Sequence, residues 1–325
     1  MSKTYNWGII GLGRIAHKFA QDLQRLPNAR LWAVAATSAE RAAAFAGQYN
    51  APHHFGSYEE LVNVPDLDIV YIATPHVLHK DNTLLCLQHK IPVLCEKPFA
   101  MTQAQAQLMV QAARQNDTFL MEAMWSRFMP TIRQALAWIK EGRIGRVHAV
   151  KADFGFRAAY EPEGRLLNKA LGGGALLDIG VYPAFLALLV LGYPTQIKAL
   201  ATLGPTGVDE ELGAVLKYED GKLAHLHTSI RAKTKTEAFI YGDEGVIHLH
   251  SRWHEPSTMS LIIEGQRPEL LNFDYNGLGY HYEAAEAMKC LDQGLREHPD
   301  LTLDFSLQLM QLLDDIRKEA GVPLE

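Results

Sequence analysis

The sequence predicts an α/β chain in two parts. A doubly wound parallel sheet is expected over residues 1–122, and an α+β domain rich in antiparallel strands over 123–325. Three observations predict this. Short apolar runs alternate with helical patterns through the first third. A glycine turn, Gly11-Leu12-Gly13-Arg14-Ile15-Ala16, follows an apolar strand (7–10) and opens a helix whose stripe is Ile15, Phe19 and Leu23. After Trp125 the rhythm changes to strands broken by turns, such as Glu219-Asp-Gly221 and Gly242-Asp-Glu-Gly245.

Taken in order, a second strand runs from Leu31 to Ala36, and Ser38 can cap a helix carrying Ala42, Phe45, Ala46 and Tyr49. Ser57-Tyr-Glu-Glu60 has capping-box spacing. The strand 68–73 is almost continuously apolar, as expected when helices cover both faces. A helix to about Lys90, the strand Pro92–Glu96, a turn at Lys97-Pro98, a Thr102-capped helix and the strand Phe119–Glu122 complete the first domain. In the second, a helix spans about 130–141 and a strand 147–155. One long helix begins near Ala175 after Gly172-Gly-Gly174, strands fill 195–264, and two helices lie near 281–294 and 305–319.

Composition narrows the function. Hydrophobic residues make up 48% and charged ones 21%, with a net charge of −6. That balance argues against nucleic acid or an anionic membrane surface as partner. The apolar stretch 184–192 is shorter than the roughly 20 residues that span a bilayer, so it reads as a buried helix. No signal-peptide pattern precedes the first strand. Cys86, Cys95 and Cys290 are odd in number and lack CxxC spacing, which fits small buried residues in a reducing compartment. The expectation is a cytoplasmic protein.

The glycine turn carries the first functional reading. Gly11 permits the tight turn, Gly13 lets backbone N–H groups approach a pyrophosphate, and the small Ala16 lets helix and strand pack closely. An NAD-binding fold usually ends its second strand with Asp or Glu on the ribose 2′-hydroxyl. Here that stretch is Ala35-Ala36-Thr37-Ser38, followed by Arg41. Two hydroxyls and a guanidinium suit a 2′-phosphate, so NADP is favoured over NAD.

Glu96-Lys97-Pro98 lies at the C-terminal end of a strand, the edge where doubly wound sheets bind ligands. A lysine there is either a solvated loop residue or a donor to a substrate oxygen. Thr74, His76 and His79 sit at the same edge and are candidates to line the cofactor cleft. Asp178 and Tyr182, four residues apart in an otherwise apolar helix, are either a structural pair or part of a site. Trp125, Arg127 and Phe128 mark the interdomain crossing, as packing or as a pocket for a polar cyclic substrate. The pairs His225/His227 and His248/His250 share sheet faces, but without a carboxylate-rich context a partner surface explains them better than a metal.

Together these motifs resemble the Gfo/Idh/MocA oxidoreductase family: GLGRIA at 11–16, EKP at 96–98 and GGGALLDIG at 172–180. The stretch 121–130 and Asp178-Ile-Gly-Val-Tyr182 are similar to its branch of dimeric dihydrodiol and NADP-linked D-xylose dehydrogenases. The resemblance implies a Rossmann domain, a C-terminal open sheet whose exposed face forms a homodimer, and NAD(P)-dependent oxidation of a secondary or hemiacetal hydroxyl of a sugar or cyclic diol. It places Lys97, Asp178 and Tyr182 in the catalytic set, Gly11, Gly13, Arg14, Ile15, Thr37, Ser38, Arg41, Thr74, His76, His79 and Glu96 at the cofactor, and Trp125, Arg127 and Phe154 in the substrate pocket. Either Lys97 or Tyr182 is the proton acceptor. Tyr182 stands where the wider family more often has histidine, which turns the reading away from an NAD-linked inositol dehydrogenase. Retention of both Lys97 and Tyr182 argues against a non-catalytic nucleotide-binding regulator.

Overall fold

A computed structural model describes residues 3–323. By contact density the chain divides into two compact units, 1–125 with 276–307 and 126–275 with 308–325.

The first unit alternates strand and helix: β1 (Tyr5–Ile10), α1 (Arg14–Leu23), β2 (Ala29–Ala35), α2 (Ala39–Tyr49), β3 (His53–Phe55), α3 (Tyr58–Leu61), β4 (Ile69–Ile72), α4 (His79–Gln88), β5 (Val93–Glu96), α5 (Gln103–Gln115) and β6 (Leu120–Ala123). Its strands pair in parallel in the order β3-β2-β1-β4-β5-β6, so the direction of winding reverses between β1 and β4. Register aligns their C-terminal ends: Ala35 beside Ile10, Ile10 beside Ile72, Ile72 beside Cys95 and Cys95 beside Glu122. β4 and β5 are buried at every position, as expected for strands covered on both faces. Ser38, Ser57 and Thr102 accept backbone N–H groups and cap α2, α3 and α5, although α3 is only one turn long.

The second unit carries α6 (Pro130–Lys140), β7 (Val147–Gly155), α7 (Val181–Leu191), β8 (Gln196–Leu203), β9 (Asp209–Lys217), β10 (Leu223–Ser229), β11 (Ala238–Gly242), β12 (Gly245–Leu249), β13 (Met259–Ile263) and β14 (Glu269–Leu271). These strands form one eight-stranded sheet ordered β14-β13-β12-β11-β7-β10-β9-β8, antiparallel except where β7 meets β10. Alternation along β9 buries Leu212, Ala214 and Leu216 and exposes Gly213, Val215 and Lys217, so one face is covered and the other open. The helical run 169–191 is long and apolar enough to cross a membrane by length and composition, but most of it is buried in this unit. It is a core element.

Two sequence expectations need correction. The long helix expected from Ala175 begins instead as a π-helical turn, Leu176–Gly180, before α7. The C-terminal stretch does not stay with the second unit. Residues 276–307, including α8 (Tyr280–Asp292) and the start of α9 (Leu303–Glu319), belong to the first. The reason is polar. Asp22, almost fully buried on α1, accepts the backbone N–H of Leu278 at 2.9 Å and of Tyr280 at 2.8 Å, capping α8. Tyr5 donates to Asp292 at 2.6 Å, and Ser306 donates to Glu122 at 2.7 Å.

Glu283, on α8, is fully buried, and neither of its carboxyl oxygens has a hydrogen-bond partner among the described residues. Burial first, then the nearby Glu96 and Asp22, push its carboxyl well above the usual range. A folded-state value raised above the unfolded one penalises folding once the unfolded carboxyl ionises, and the penalty is relieved as pH falls. Glu283→Gln is therefore expected to raise Tm at pH 8, by about 2–4 °C for each kcal/mol relieved, with the gain shrinking toward pH 4. A pH-independent loss of Tm in scanning calorimetry contradicts this.

Candidate active site

In the first unit, three loops leave the aligned strand ends together. After β1 comes the glycine turn. Gly11 has φ +89°, and a Cβ there meets Thr74 N at 2.8 Å and Ala73 C at 2.9 Å, so only glycine fits between the β1 and β4 ends. Gly13 is different: an added Cβ meets nothing within 4 Å. The following helix, α1, has no side-chain cap and no acidic residue in its first turn. Its N-terminal N–H groups and positive dipole end are thus available to an anion. Arg14 is exposed and Ile15 half-buried on that turn.

Past β2, Thr37 and Arg41 are exposed. The Arg41 guanidinium donates to the Leu12 carbonyl at 3.3 Å, which places its charge against the glycine turn. Ser38 accepts from the Arg41 N–H at 3.4 Å, leaving its own O–H as a donor. No carboxylate stands at the β2 end before Glu40. These residues fit a dinucleotide bearing a 2′-phosphate.

After β4, Thr74 and His76 are buried, and Asn82 donates to the Thr74 hydroxyl at 3.2 Å. His79 is fully buried, with Nδ1 2.9 Å from the Pro98 carbonyl and Nε2 2.9 Å from the Thr74 carbonyl. Burial lowers its pKa to about 4, so the ring is neutral at working pH. The neutral ring carries one N–H, which donates to one of these two carbonyls, and the side chain sits between the β4 edge and the turn after β5. The sequence reading placed His79 on the cofactor; its geometry is that of a brace behind the turn.

That turn carries Glu96 and Lys97, with a cis Lys97–Pro98 bond. Glu96 is buried; Tyr71 donates to its Oε1, and the Lys97 N–H donates to its Oε2 at 3.1 Å. Tyr71 in turn stacks on Phe19 at 3.7 Å. Both oxygens of Glu96 are engaged, which fixes the backbone from which the half-buried Lys97 side chain springs. Lys97 lies near Glu122, whose carboxyl burial raises to about 7. Trp125 is buried and stacks on Tyr280 at 4.2 Å with the ring planes almost parallel.

In the second unit, Asp178 and Tyr182 are both buried, Asp178 on the π turn and Tyr182 on the first turn of α7. Arg165 donates to Asp178 at 2.7 Å, so the Asp178 carboxylate is held by a guanidinium from the preceding loop. The glycines before it admit the chain's own groups. A Cβ on Gly173 meets the Leu166 carbonyl at 2.7 Å, and one on Gly174 meets Asp209 Oδ1 at 2.2 Å.

Phe154 on β7, Tyr182 on α7 and His254 in the β12–β13 loop form a ring triangle. His254 stacks on Phe154 at 4.0 Å and sits 5.0 Å from Tyr182, and Phe154 is 5.6 Å from Tyr182. Sequence reasoning missed His254. Its loop is tied to β7 by Trp253, whose indole N–H donates to the Asp153 carbonyl at 3.1 Å, and no local pattern signals that return. Arg127 is buried in this unit. The His-x-His pairs turn to neighbours on the sheet. His227 faces Glu211 at 3.1 Å, His248 faces Glu237 at 3.5 Å, and His250 bonds Thr258 at 2.6 Å and Ser260 at 2.9 Å.

Comparison with known proteins decides the lineage. Residues 5–124 match the model of an oxidoreductase family with an NAD-binding Rossmann fold, and residues 132–248 match the GFO/IDH/MocA C-terminal domain. The chain belongs to the Gfo/Idh/MocA family. It is similar to the trans-1,2-dihydrobenzene-1,2-diol dehydrogenase of Xenopus tropicalis, at 37% identity over 97% of this chain and 98% of that one. Its fold matches an aldose-aldose oxidoreductase from Caulobacter crescentus solved with glycerol, with TM-score 0.90, 24% identity and 98% coverage of both chains. A 3-ketoreductase from Actinomadura kijaniata, solved with TDP-benzene and NADP, aligns with TM-score 0.86, 25% identity and 98% coverage of both. As a Gfo/Idh/MocA member with this Rossmann unit, the chain is an NAD(P)-dependent oxidoreductase acting on CH–OH groups.

The two glycines of the turn separate fold from ligand. Gly11→Ala is expected to lower Tm as well as cofactor affinity. Gly13→Ala is expected to leave Tm unchanged while weakening dinucleotide binding by on the order of tenfold. Calorimetry beside cofactor titration checks this; equal losses of Tm in both variants contradict it.

Proposed function

We propose that the protein is an NADP-preferring dehydrogenase that oxidises a secondary or hemiacetal hydroxyl of a sugar or cyclic diol. The observation that carries the reading is the chemistry held at the two sites: a lysine on the nucleotide-binding edge of the first unit, and in the second a buried phenol beside a guanidinium-held carboxylate. Similarity to a diol dehydrogenase over nearly the full chain supports the substrate class.

Gly11, Gly13, Arg14 and Ile15 receive the pyrophosphate, Thr37, Ser38 and Arg41 the 2′-phosphate, and Thr74, His76 and Glu96 frame the nicotinamide end. Bound NADP supplies the hydride acceptor at C4 of its nicotinamide. Lys97 holds the substrate oxygen and stabilises negative charge as it develops, Tyr182 takes the hydroxyl proton, and Asp178 with Arg165 orients the phenol. Trp125, Arg127 and Phe154 favour a polar ring as substrate.

The open face of the eight-stranded sheet is assigned to a homodimer contact. Leu200 is 82% exposed there, with Val215 and Leu203 also exposed, an apolar surface costly to leave in water. Three buried free cysteines fit a reducing, cytoplasmic setting.

NADP reduction, followed against aldoses, inositols and cyclic diols, tests the reading. Lys97→Ala and Tyr182→Phe are each expected to lower kcat by on the order of 10²–10⁴ with cofactor affinity nearly intact. Wild-type turnover in either variant, or tighter binding of NAD than of NADP, overturns the corresponding assignment. Sedimentation is expected to give a dimer that Leu200→Asp weakens.

A further inference from the structure

The π turn that carries Asp178 is held from outside its own helix. Asp209, at the start of β9 and 4% exposed, accepts the Leu176 N–H at 2.6 Å through Oδ2. Gly174, at φ +121°, is what lets the carboxylate come so close. A π turn is a costly local geometry that persists where surrounding structure enforces it. Here the enforcing group is a carboxylate on the Leu176 N–H that opens the turn, a charge-assisted arrangement.

We infer that Asp209 is a positioning residue of the reaction: its ionised carboxylate fixes the π turn, and through it the placement of Asp178 and Tyr182, so that protonating Asp209 slows turnover without unfolding the protein. The inference rests on the proposed roles of Asp178 and Tyr182.

The groups facing Asp209 set the pH at which this happens. From α9 comes Arg317, itself paired with Asp314. From the π turn come only backbone amides. On its own strand Glu210 lies near Arg231, and Glu211 faces His227. Arg317 and the amides favour the carboxylate, but burial outweighs them and raises the carboxyl to about 6. A folded-state value above the unfolded one means that protonation favours the folded state as pH falls through 6. Acid therefore releases the turn without a loss of global stability from this group.

The test uses the full-length protein with NADP bound. In the wild type, log kcat is expected to fall below about pH 6, while KM for NADP holds steady and Tm does not fall. Protection of the Leu176 amide, corrected for intrinsic exchange, is expected to fall on the order of tenfold between about pH 8 and about pH 5. In Asp209→Asn, kcat at pH 8 is expected to drop by on the order of tenfold, with the acid limb gone and the Leu176 amide poorly protected at every pH. Flat protection in the wild type overturns the inference, and that measurement stands even if the variant does not fold. An unchanged acid limb in Asp209→Asn overturns it too. Tyr182→Phe, run alongside, separates the two levels. If that variant keeps wild-type turnover, the acid–base assignment fails and the positioning claim with it; if it is inactive while Asp209→Asn is wild-type, only the Asp209 inference fails.

Discussion

The parallel register of β1, β4 and β5 is the constraint on which the nucleotide-binding unit depends. Because Ile10 and Ile72 end their strands beside Cys95, one residue from the end of β5, the glycine turn, the Thr74–His79 segment and Glu96-Lys97 lie at one edge of the sheet. A slip of one residue in any strand turns its apolar side chains to the wrong face, so burial of the strands fixes where the functional loops emerge. The loops are then secured by polar contacts. Gly11 fits against Thr74, His79 spans Thr74 and Pro98, and Glu96 is claimed by Tyr71 and by the Lys97 amide. An unpaired polar group at such depth costs about 1–3 kcal/mol, which is why almost every one of these atoms has a partner. Glu283 stands apart, as a buried acid that spends stability.

The second unit solves a different problem. It must keep a carboxylate and a phenol inside an apolar helix. Asp178 is tolerated because Arg165 neutralises it, and the turn that carries it is tolerated because Asp209 bonds its leading amide. Gly173 and Gly174 serve this internal packing. What comes close to them is the loop carbonyls at 165–168 and the Asp209 carboxylate.

Much of this was legible in the sequence because it is written locally. Apolar runs with the right period give the strands, Ser38, Ser57 and Thr102 give helix starts, and the glycine turn is read from its strand–helix context. What was not legible depends on contacts far apart in the chain. α8 joins the first unit because Asp22 caps it across 258 positions, and the π turn exists because Asp209 reaches back 33 positions to Leu176. His254 meets Tyr182 only because the β12–β13 loop folds onto β7. No periodicity encodes such returns. The same holds for His79, whose position at a strand edge suggests a cleft while its depth makes it a brace.

The central claim is that the chain moves a hydride between a secondary or hemiacetal carbon and a nicotinamide. Following deuterium from a substrate labelled at the carbinol carbon tests it most directly. The account predicts that the label appears at C4 of the reduced NADP, on one face, one for each substrate oxidised. Oxidation that leaves the nicotinamide unlabelled, or no label transfer from any aldose or cyclic diol, contradicts it.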